Sequence, residues 1–418
     1  MKYKMKKRIG VFLSVLFVIA ACVTTIPQLS ETVSAADTEM DLQPDADVLD
    51  PITTIETDLS SDFEIIEEES DLPLLSPDME TTGEVVADYI KYSLDSDNHT
   101  AVVTGYTEGL PASVMIPATV NSGGKTYSVT AIEENAFRGC QALTAITIPA
   151  GITDIGKSAF YCCFSLKSVT ASGDGVSIGD SAFCFCDALE SITFTGNDVC
   201  IDHAAFEGCV KLAEVNFQGT VQSIGEAAFV GCQALTDFTI PEGFTSIEPS
   251  VFKFCTSLAN ISIPSSVKSI GQLAFTDCTS LTSFTIQSDD VTIGNNAFSG
   301  SSLETVKFTG DGVILSYGAF GGCTSLKKVE FAGTVKSIGA SAFDSCTALA
   351  DINIPSGTNI GKAAFYRCTS LKSLTIAGDE VNVGEQAFAQ SSLETVKFTG
   401  DGVILGDSAF GLCTSLKK

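Results

Sequence analysis

Eleven cysteines recur at a single register of the sequence and are the first candidates for chemistry. Each one follows a phenylalanine by three residues: Cys140, Cys163, Cys186, Cys209, Cys232, Cys255, Cys278, Cys323, Cys346, Cys368 and Cys413. In an exported protein such a count invites a disulfide framework. The number is odd, however, and Ser301 and Ser391 take the place of cysteine in two shortened repeats. We therefore predict a column of small, buried, free thiols.

Metal binding by these cysteines is not expected. A structural zinc site needs pairs of cysteines on one loop, whereas these are a whole repeat apart. Three further cysteines lie outside the register and are the candidates for reactive or bridging thiols: Cys162, Cys184 and Cys200. That assignment is a hypothesis.

Catalytic chemistry finds little support in the sequence. The two histidines, His99 and His203, have no nucleophile beside them in a local or repeated motif. Carboxylates are too common in this acidic chain to indicate a glycosidase, and no phosphate-binding GxxxxGK[ST] loop is present. Acidic turns recur at Asp174, Asp289, Asp290, Asp311, Asp379 and Asp401. Calcium bridging and simple polar turns are both open, and the second is favoured. We predict a non-enzymatic protein without cofactor or metal.

The cysteine register belongs to a longer repeat that organises most of the chain. Its phenylalanines are spaced by 23 and, later, alternately by 22 and 23 residues: Phe137, Phe160, Phe183, Phe206, Phe229, Phe252, Phe275, Phe298, Phe320, Phe343, Phe365, Phe388 and Phe410. Such a period predicts a solenoid whose stacked coils share one core. Within a repeat, LTDFTI and VQSIG indicate two short strands, and AAFVGC indicates a single helical or 3₁₀ turn with Phe inward. We therefore expect a β-rich solenoid of about 13 coils.

The repeat resembles a known family. The pattern IxIPxxVxxIGxxAFxxCxxL, well matched from Ile148 to Leu166 and from Ile263 to Leu281, is similar to the BspA-type leucine-rich repeat of bacterial surface proteins. The resemblance covers residues 131–418. It implies a leucine-rich-repeat solenoid on a secreted or surface-anchored protein, for which adhesion to host proteins or to other cells is the usual role.

One outward-facing position per coil is the candidate binding surface. Leucine-rich repeats typically bind partners on such a sheet face, and Thr also simply suits an exposed strand. The positions are Thr147, Thr170, Thr193, Asn216, Thr239, Ser262, Thr285, Lys307, Glu330, Asn353, Thr375 and Lys397. The expected partner is a protein or a cell-surface glycoconjugate. Strong sugar stacking is not expected, because the chain has no Trp and this row has no aromatic residue.

The N-terminal residues 1–84 predict export of the protein and a spacer before its repeats. Residues 1–36 combine a basic start with an apolar run, as in a signal peptide. Cleavage after Ala35 or Ala36 is favoured over a lipidated Cys22, which would be the chain's one link to a membrane. Residues 37–84 hold seventeen acidic residues and no Lys or Arg, which predicts a disordered spacer. With a net charge of -28, the chain is not expected to bind nucleic acid.

The two ends of the repeat region differ. Residues 85–130 predict an N-terminal β cap with strands near Tyr89–Leu94, Ala101–Gly105, Val114–Ile116 and Tyr127–Val129. The repeats, residues 131–418, stop inside an incomplete last coil, which suggests a fragment or a frayed end. Two alternatives to partner binding stay open at this point: a carbohydrate-binding or cell-wall structural component, and a scaffold for a domain beyond residue 418.

Overall fold

The computed structural model describes residues 83–377 and 379–417. The predicted signal peptide lies outside these residues, as does the acidic spacer except for its last two positions. Within the described ranges the chain contains thirty strands and no helix, so no helix there is long and apolar enough to cross a membrane. The sequence-predicted β-rich solenoid is confirmed.

Six strands form the N-terminal end of the stack. They are β1 (Glu84–Ala87), β2 (Ile90–Asp95), β3 (Thr100–Tyr106), β4 (Ser113–Met115), β5 (Thr119–Ser122) and β6 (Lys125–Ile132). The four strands predicted for this region are present as β2, β3, β4 and β6. The pairs β1–β2, β2–β3 and β5–β6 are antiparallel, whereas β3–β6 is parallel. Parallel pairing of β4 with β7 (Ala145–Ile148) and of β6 with β8 (Asp154–Ile155) begins the repeating stack.

Each later coil contributes a front strand and a back strand. The front strands are β7 (Ala145–Ile148), β9 (Ser168–Ala171), β11 (Ser191–Phe194), β13 (Glu214–Phe217), β15 (Asp237–Thr239), β17 (Asn260–Ser262), β19 (Ser283–Ile286), β21 (Thr305–Phe308), β23 (Lys328–Phe331), β25 (Asp351–Ile354), β27 (Ser373–Ile376) and β29 (Thr395–Phe398). The back strands are β8 (Asp154–Ile155), β10 (Ser177–Ile178), β12 (Val199–Ile201), β14 (Val221–Ile224), β16 (Ser246–Ile247), β18 (Ser269–Ile270), β20 (Thr292–Ile293), β22 (Val313–Leu315), β24 (Val335–Ile338), β26 (Asn359–Ile360), β28 (Asn382–Val383) and β30 (Ile404–Leu405). Strands of neighbouring coils pair in parallel, one coil apart, except β13 with β15, β14 with β16 and β17 with β19.

The third side of each coil, which we call the turn side, runs from four residues before the repeat Phe to three after it. The predicted helical or 3₁₀ turn is wrong here. Around Phe229, both Ala227 (φ 58°) and Gly231 (φ 70°) are left-handed. This alternation directs every second N–H along the stack: Phe229 N–H donates to Val251 O at 3.0 Å, whereas Val230 N–H closes a local turn on Ala227 O at 3.1 Å. A 3₁₀ run would have kept all of these bonds inside one coil.

The repeat phenylalanines form the centre of the core. Their rings lie parallel, with centroids 4.8 Å apart at Phe160–Phe183 and 5.8 Å apart at Phe229–Phe252. The stack starts in the cap, where Tyr106 lies 5.8 Å from Phe137. The inward assignment of Phe made from the sequence is confirmed for Phe137 through Phe388, all of which are buried.

An exact internal duplication shows how far burial depends on the neighbouring coil. Residues 301–315 and 391–405 have the same sequence, SSLETVKFTGDGVIL. Phe308 of the first copy is fully buried, because β23 and β24 of the next coil pack against it, whereas Phe398 of the second copy is 42% exposed. A single coil therefore does not bury its own apolar residues; the stack does.

Candidate functional site

The cysteine column is structural, as predicted. All fourteen cysteines in the described ranges are free, and ten of the eleven in the column are buried. The thiol of Cys209 donates to Phe183 O at 3.1 Å, and that of Cys232 donates to Phe206 O at 3.3 Å. The same bond recurs along the stack, always to the Phe carbonyl of the preceding coil. Each thiol thus gives this carbonyl a second donor in addition to the local turn N–H.

The cysteines outside the column are not brought into a reactive site. Cys162 is half-buried, and its N–H donates to the carbonyl of buried Cys184 at 2.9 Å. Burial raises the pKa of the Cys162 thiol to about 11, which keeps it protonated at neutral pH. Cys200, on back strand β12, is half-buried and carries no disulfide. The assignment of these three cysteines as bridging thiols is wrong, since all three are free, and their assignment as reactive thiols remains a prediction.

The histidines and acidic turns have local partners. His203 Nδ1 lies 3.6 Å from Asp180 Oδ1 on the preceding coil. The acidic turns accept backbone N–H groups from the next coil: Asp311 N–H reaches Asp289 Oδ1 at 2.9 Å and Thr334 N–H reaches Asp311 Oδ1 at 2.8 Å. These carboxylates therefore act as coil-to-coil acceptors, in line with the polar-turn interpretation. Within the part of the chain that the structure describes, no group of three or more metal-ligating side chains is found.

The predicted binding row lies on the front strands, and all twelve side chains are at least partly accessible. The parallel register sets Thr147 beside Thr170, Thr170 beside Thr193, and Thr193 beside Asn216. Met115 of β4 pairs with Thr147 and is 75% exposed, so the row begins one coil earlier than the sequence indicated. The repeat pattern could not reveal Met115, because it lies before the first repeat Phe.

Charge is unevenly distributed along this row. From Thr147 to Thr285 its members are neutral Thr, Asn and Ser, whereas Lys307, Glu330 and Lys397 follow further along. Lys307 Nζ lies 4.0 Å from a carboxylate oxygen of Glu330 on the neighbouring coil, and Lys328 also contacts Glu330. The Lys328 contact holds the pKa of the exposed Glu330 carboxyl below its usual value. The first half of the row is therefore a neutral hydroxyl and amide surface, and the second half carries ion pairs.

The front sheet is interrupted on both sides of the strand pair β15 and β17. In ordinary coils the residue after the strand donates to the preceding coil, as Gln218 N–H does to Phe194 O at 2.9 Å. Pro241 and Pro264 occupy this position in the coils of β15 and β17 and have no N–H to donate, but Pro149 and Pro355 occupy it in the coils of β7 and β25, which are paired on both sides. Strands β15 and β17 pair with each other over three residues and with no other described front strand.

At one junction the back sheet is open as well. Neither β13 with β15 nor β14 with β16 is paired, and we call this gap the seam. Grooves of about 750 Å³ on the front and about 630 Å³ on the back open there, and Val221 and Glu242 line both. Glu248 stands where nine of the thirteen repeats have Gly, and Pro249 follows it. A Cβ on Gly225, its counterpart one coil earlier, would lie 2.7 Å from the backbone of Asp202, although Asp202 itself occupies this repeat position and still donates its N–H to Ile178 O at 2.9 Å.

The chain was compared with known proteins. A family model described as "BspA type Leucine rich repeat region" matches residues 124–219, 199–317 and 291–417. No curated protein matches the chain.

Several solved structures are similar. A leucine-rich repeat protein from Bacteroides ovatus is 27% identical over 80% of this chain and 93% of its own, with a TM-score of 0.49. A leucine rich cell surface protein from Faecalibacterium prausnitzii is also 27% identical, over 78% of this chain and 96% of its own, with a TM-score of 0.40. The pneumococcal vaccine antigen PcpA is 15% identical, over 68% of this chain and 94% of its own, with a TM-score of 0.30.

Proposed function

The chain belongs to the BspA-type leucine-rich repeat family, and from this premise we propose that it is a non-enzymatic, extracytoplasmic protein that binds another macromolecule through its front face. The signal-like residues 1–36 support export. The partner is a protein or a glycoconjugate of a cell surface.

The observation that carries the proposal is the aligned row of outward side chains on the front strands. Thr147, Thr170, Thr193 and Asn216 stand side by side through a continuous parallel register. A row of hydroxyl and amide groups at strand spacing offers donors and acceptors at regular intervals to a large partner. The absence of charge in this half lowers the desolvation cost of an interface, relative to the ion-paired half around Glu330.

A direct test uses the purified solenoid on an array of extracellular-matrix and epithelial surface proteins, read by surface plasmon resonance. The variant Thr147→Arg/Thr170→Arg/Thr193→Arg adds three bulky charges to the neutral row. A matched control, Ser177→Arg/Ser269→Arg/Thr292→Arg, adds the same charges at half-buried back-strand positions. Loss of every captured partner by the front variant alone supports the proposal; equal binding by both variants contradicts it.

A further inference from the structure

The seam leaves backbone groups without the partners that their counterparts have elsewhere. Ile240 N–H donates to Ser262 O at 2.9 Å on the next coil, whereas Phe217 N–H, its counterpart one coil earlier, faces unpaired β15. Ala213 N–H donates back to Glu190 O at 3.0 Å and Gly225 N–H to Ile201 O at 2.8 Å. Their counterparts across the seam are Thr236 and Glu248, which make no such bond in the described structure. Open strand edges of this kind are templates for another strand.

The seam also exposes apolar surface that is covered at other junctions. Val215, Phe217, Val221 and Phe244 are only half-buried, although they pack against the core. At the preceding junction, the equivalents of Val215 and Phe217 are Ile192 and Phe194, both fully covered. Phe217 still touches the far coil edge-on, with its ring centroid 6.4 Å from that of Phe238. The gap therefore has an apolar floor between two polar edges.

The charge around the seam has one sign. Its two grooves are lined by Asp202, Glu226, Asp237, Glu242 and Glu248, with no Lys or Arg and with His203 as the one basic group. A ligand that places ammonium or guanidinium groups at the rim would gain favourable electrostatics, whereas a nucleic acid or an anionic lipid surface would be repelled.

We propose that the seam is a binding site for an extended, basic segment of a partner protein, which adds as a strand to the open front edge of β13. Backbone pairing satisfies the open edge, alternate apolar side chains cover Val215 and Phe217, and the remaining Lys or Arg side chains reach Asp237 and Glu242, which line the front groove. This inference goes beyond front-face binding, because it uses strand edges rather than the outward row. The two proposals can therefore fail separately.

The first experiment measures binding of a designed peptide, acetyl-KVTIKVTIK-amide, by isothermal titration calorimetry with the full chain. Its alternation presents Val and Ile on one face and Lys and Thr on the other. Binding is expected for this peptide and not for the charge-reversed EVTIEVTIE. N-methylation of its odd or of its even residues should abolish binding in one set only, since a strand added to an edge uses every second N–H. Absence of binding, or equal binding of both N-methylated forms, would overturn strand addition.

The second experiment closes the seam. Residues 241–249 are replaced by QGTVQSIGE, the sequence of residues 218–226, which restores an N–H at position 241 and a Gly at position 248. The matched control places the same nine residues at 287–295, where the back sheet is already paired. Peptide binding should fall at least tenfold in the first protein and stay unchanged in the second. Binding retained by both proteins would place the site elsewhere and contradict the proposal.

A milder variant keeps the proposal testable if the replaced loop prevents folding. Asp237→Asn/Glu242→Gln should lower the affinity for the lysine peptide by roughly two- to fivefold per carboxylate. Its control, Glu133→Gln/Glu134→Gln, removes two exposed carboxylates from the first turn and should leave affinity unchanged. The front variant Thr147→Arg/Thr170→Arg/Thr193→Arg should still bind the peptide. Self-association of the wild-type protein that the closed-seam variant lacks would identify a second copy as the occupant and overturn the proposal.

Discussion

The turn side and the sheet sides of the solenoid respond differently to the same seam. On the turn side, three inter-coil bonds cross the junction intact: Ala204 N–H to Glu226 O, Phe206 N–H to Ala228 O and Gly208 N–H to Val230 O, at 2.8–3.0 Å. The rings of Phe206 and Phe229 stay parallel with centroids 5.5 Å apart. On the front and back, no strand pairing crosses. The coils are therefore joined by one side and separated at the two others.

This contrast assigns stability to the turn side and recognition to the sheet sides. The turn side repeats the same Ala, Phe, Cys and Leu pattern with few exceptions, and its bonds run along the stack whatever the loops contain. The loops between front and back strands vary in sequence, and strand pairing is interrupted on both sheets at one junction. The sheet sides can therefore vary in sequence, and even open, while the turn side continues to hold neighbouring coils together.

The largest expected effect comes from the turn side. Phe229→Ala removes a fully buried ring from the middle of the stack and should cost about 3–5 kcal/mol, by urea unfolding. Phe217→Ala, at the half-buried floor of the seam, should cost clearly less because its ring already meets solvent. Equal costs for the two substitutions would contradict the contrast between the two sides.

The thiol column should contribute the next largest effect. Cys209→Ala removes both a buried side chain and the donor to Phe183 O, and should lower the free energy of unfolding by about 1–2 kcal/mol. Cys200→Ala on the back strand should change it very little, since its thiol makes only long contacts of 3.7 and 3.9 Å. An equal loss in the free energy of unfolding for Cys200→Ala and Cys209→Ala would contradict a special role of the column.

Closing the seam should stabilise the protein. The QGTVQSIGE replacement at 241–249 adds inter-coil bonds at the junction, each contributing about 0.5–1.5 kcal/mol. We expect a rise in the free energy of unfolding of about 1 kcal/mol, measured in urea against the same replacement at 287–295. An unchanged free energy of unfolding would mean that residues outside this loop also keep the seam open.

A buried carboxyl on the turn side should produce a small pH-dependent effect. Burial raises the pKa of Glu207, so the folded protein favours its protonated form. Stability is then lost as pH rises through the interval between the unfolded and the folded pKa. Glu207→Gln should therefore stabilise by about 0.5 kcal/mol at pH 7, and the gain should vanish at pH values below the unfolded pKa. Thermal melts at pH 3 and pH 7 test this, with exposed Glu214→Gln as the control.

Reduction should have the smallest effect of all. Because the cysteines of the described ranges are free, dithiothreitol should leave the melting temperature unchanged. A fall of several degrees would mean that disulfides tie neighbouring coils.

Much of this architecture could be predicted from the sequence. The period of the phenylalanines predicted a solenoid in which they point inward. The eleven cysteines of the column were correctly predicted to be free, because they follow the repeat register. These inferences depend on patterns that every coil repeats.

What the sequence did not predict depends on contacts between coils. The left-handed residues of the turn side, such as Ala227, have no glycine signature, because most repeats have Ser or Ala there and the inter-coil bonds impose the conformation. The predicted helical turn was wrong for this reason. The seam was also missed, because Pro149 and Pro355 stand at the repeat position of Pro241, and Asp202 at that of Glu248, in coils whose strands pair.

The most direct test is native-state hydrogen exchange, resolved by residue, across the single junction that contains the seam. The account predicts slow exchange at Ala204, Phe206 and Gly208, whose N–H groups cross to the next coil on the turn side. It predicts exchange at least about tenfold faster at Phe217, Thr236 and Glu248 than at their paired counterparts one coil away. Equal protection at both sets of amides would contradict it, because the two sheets would then be closed in solution.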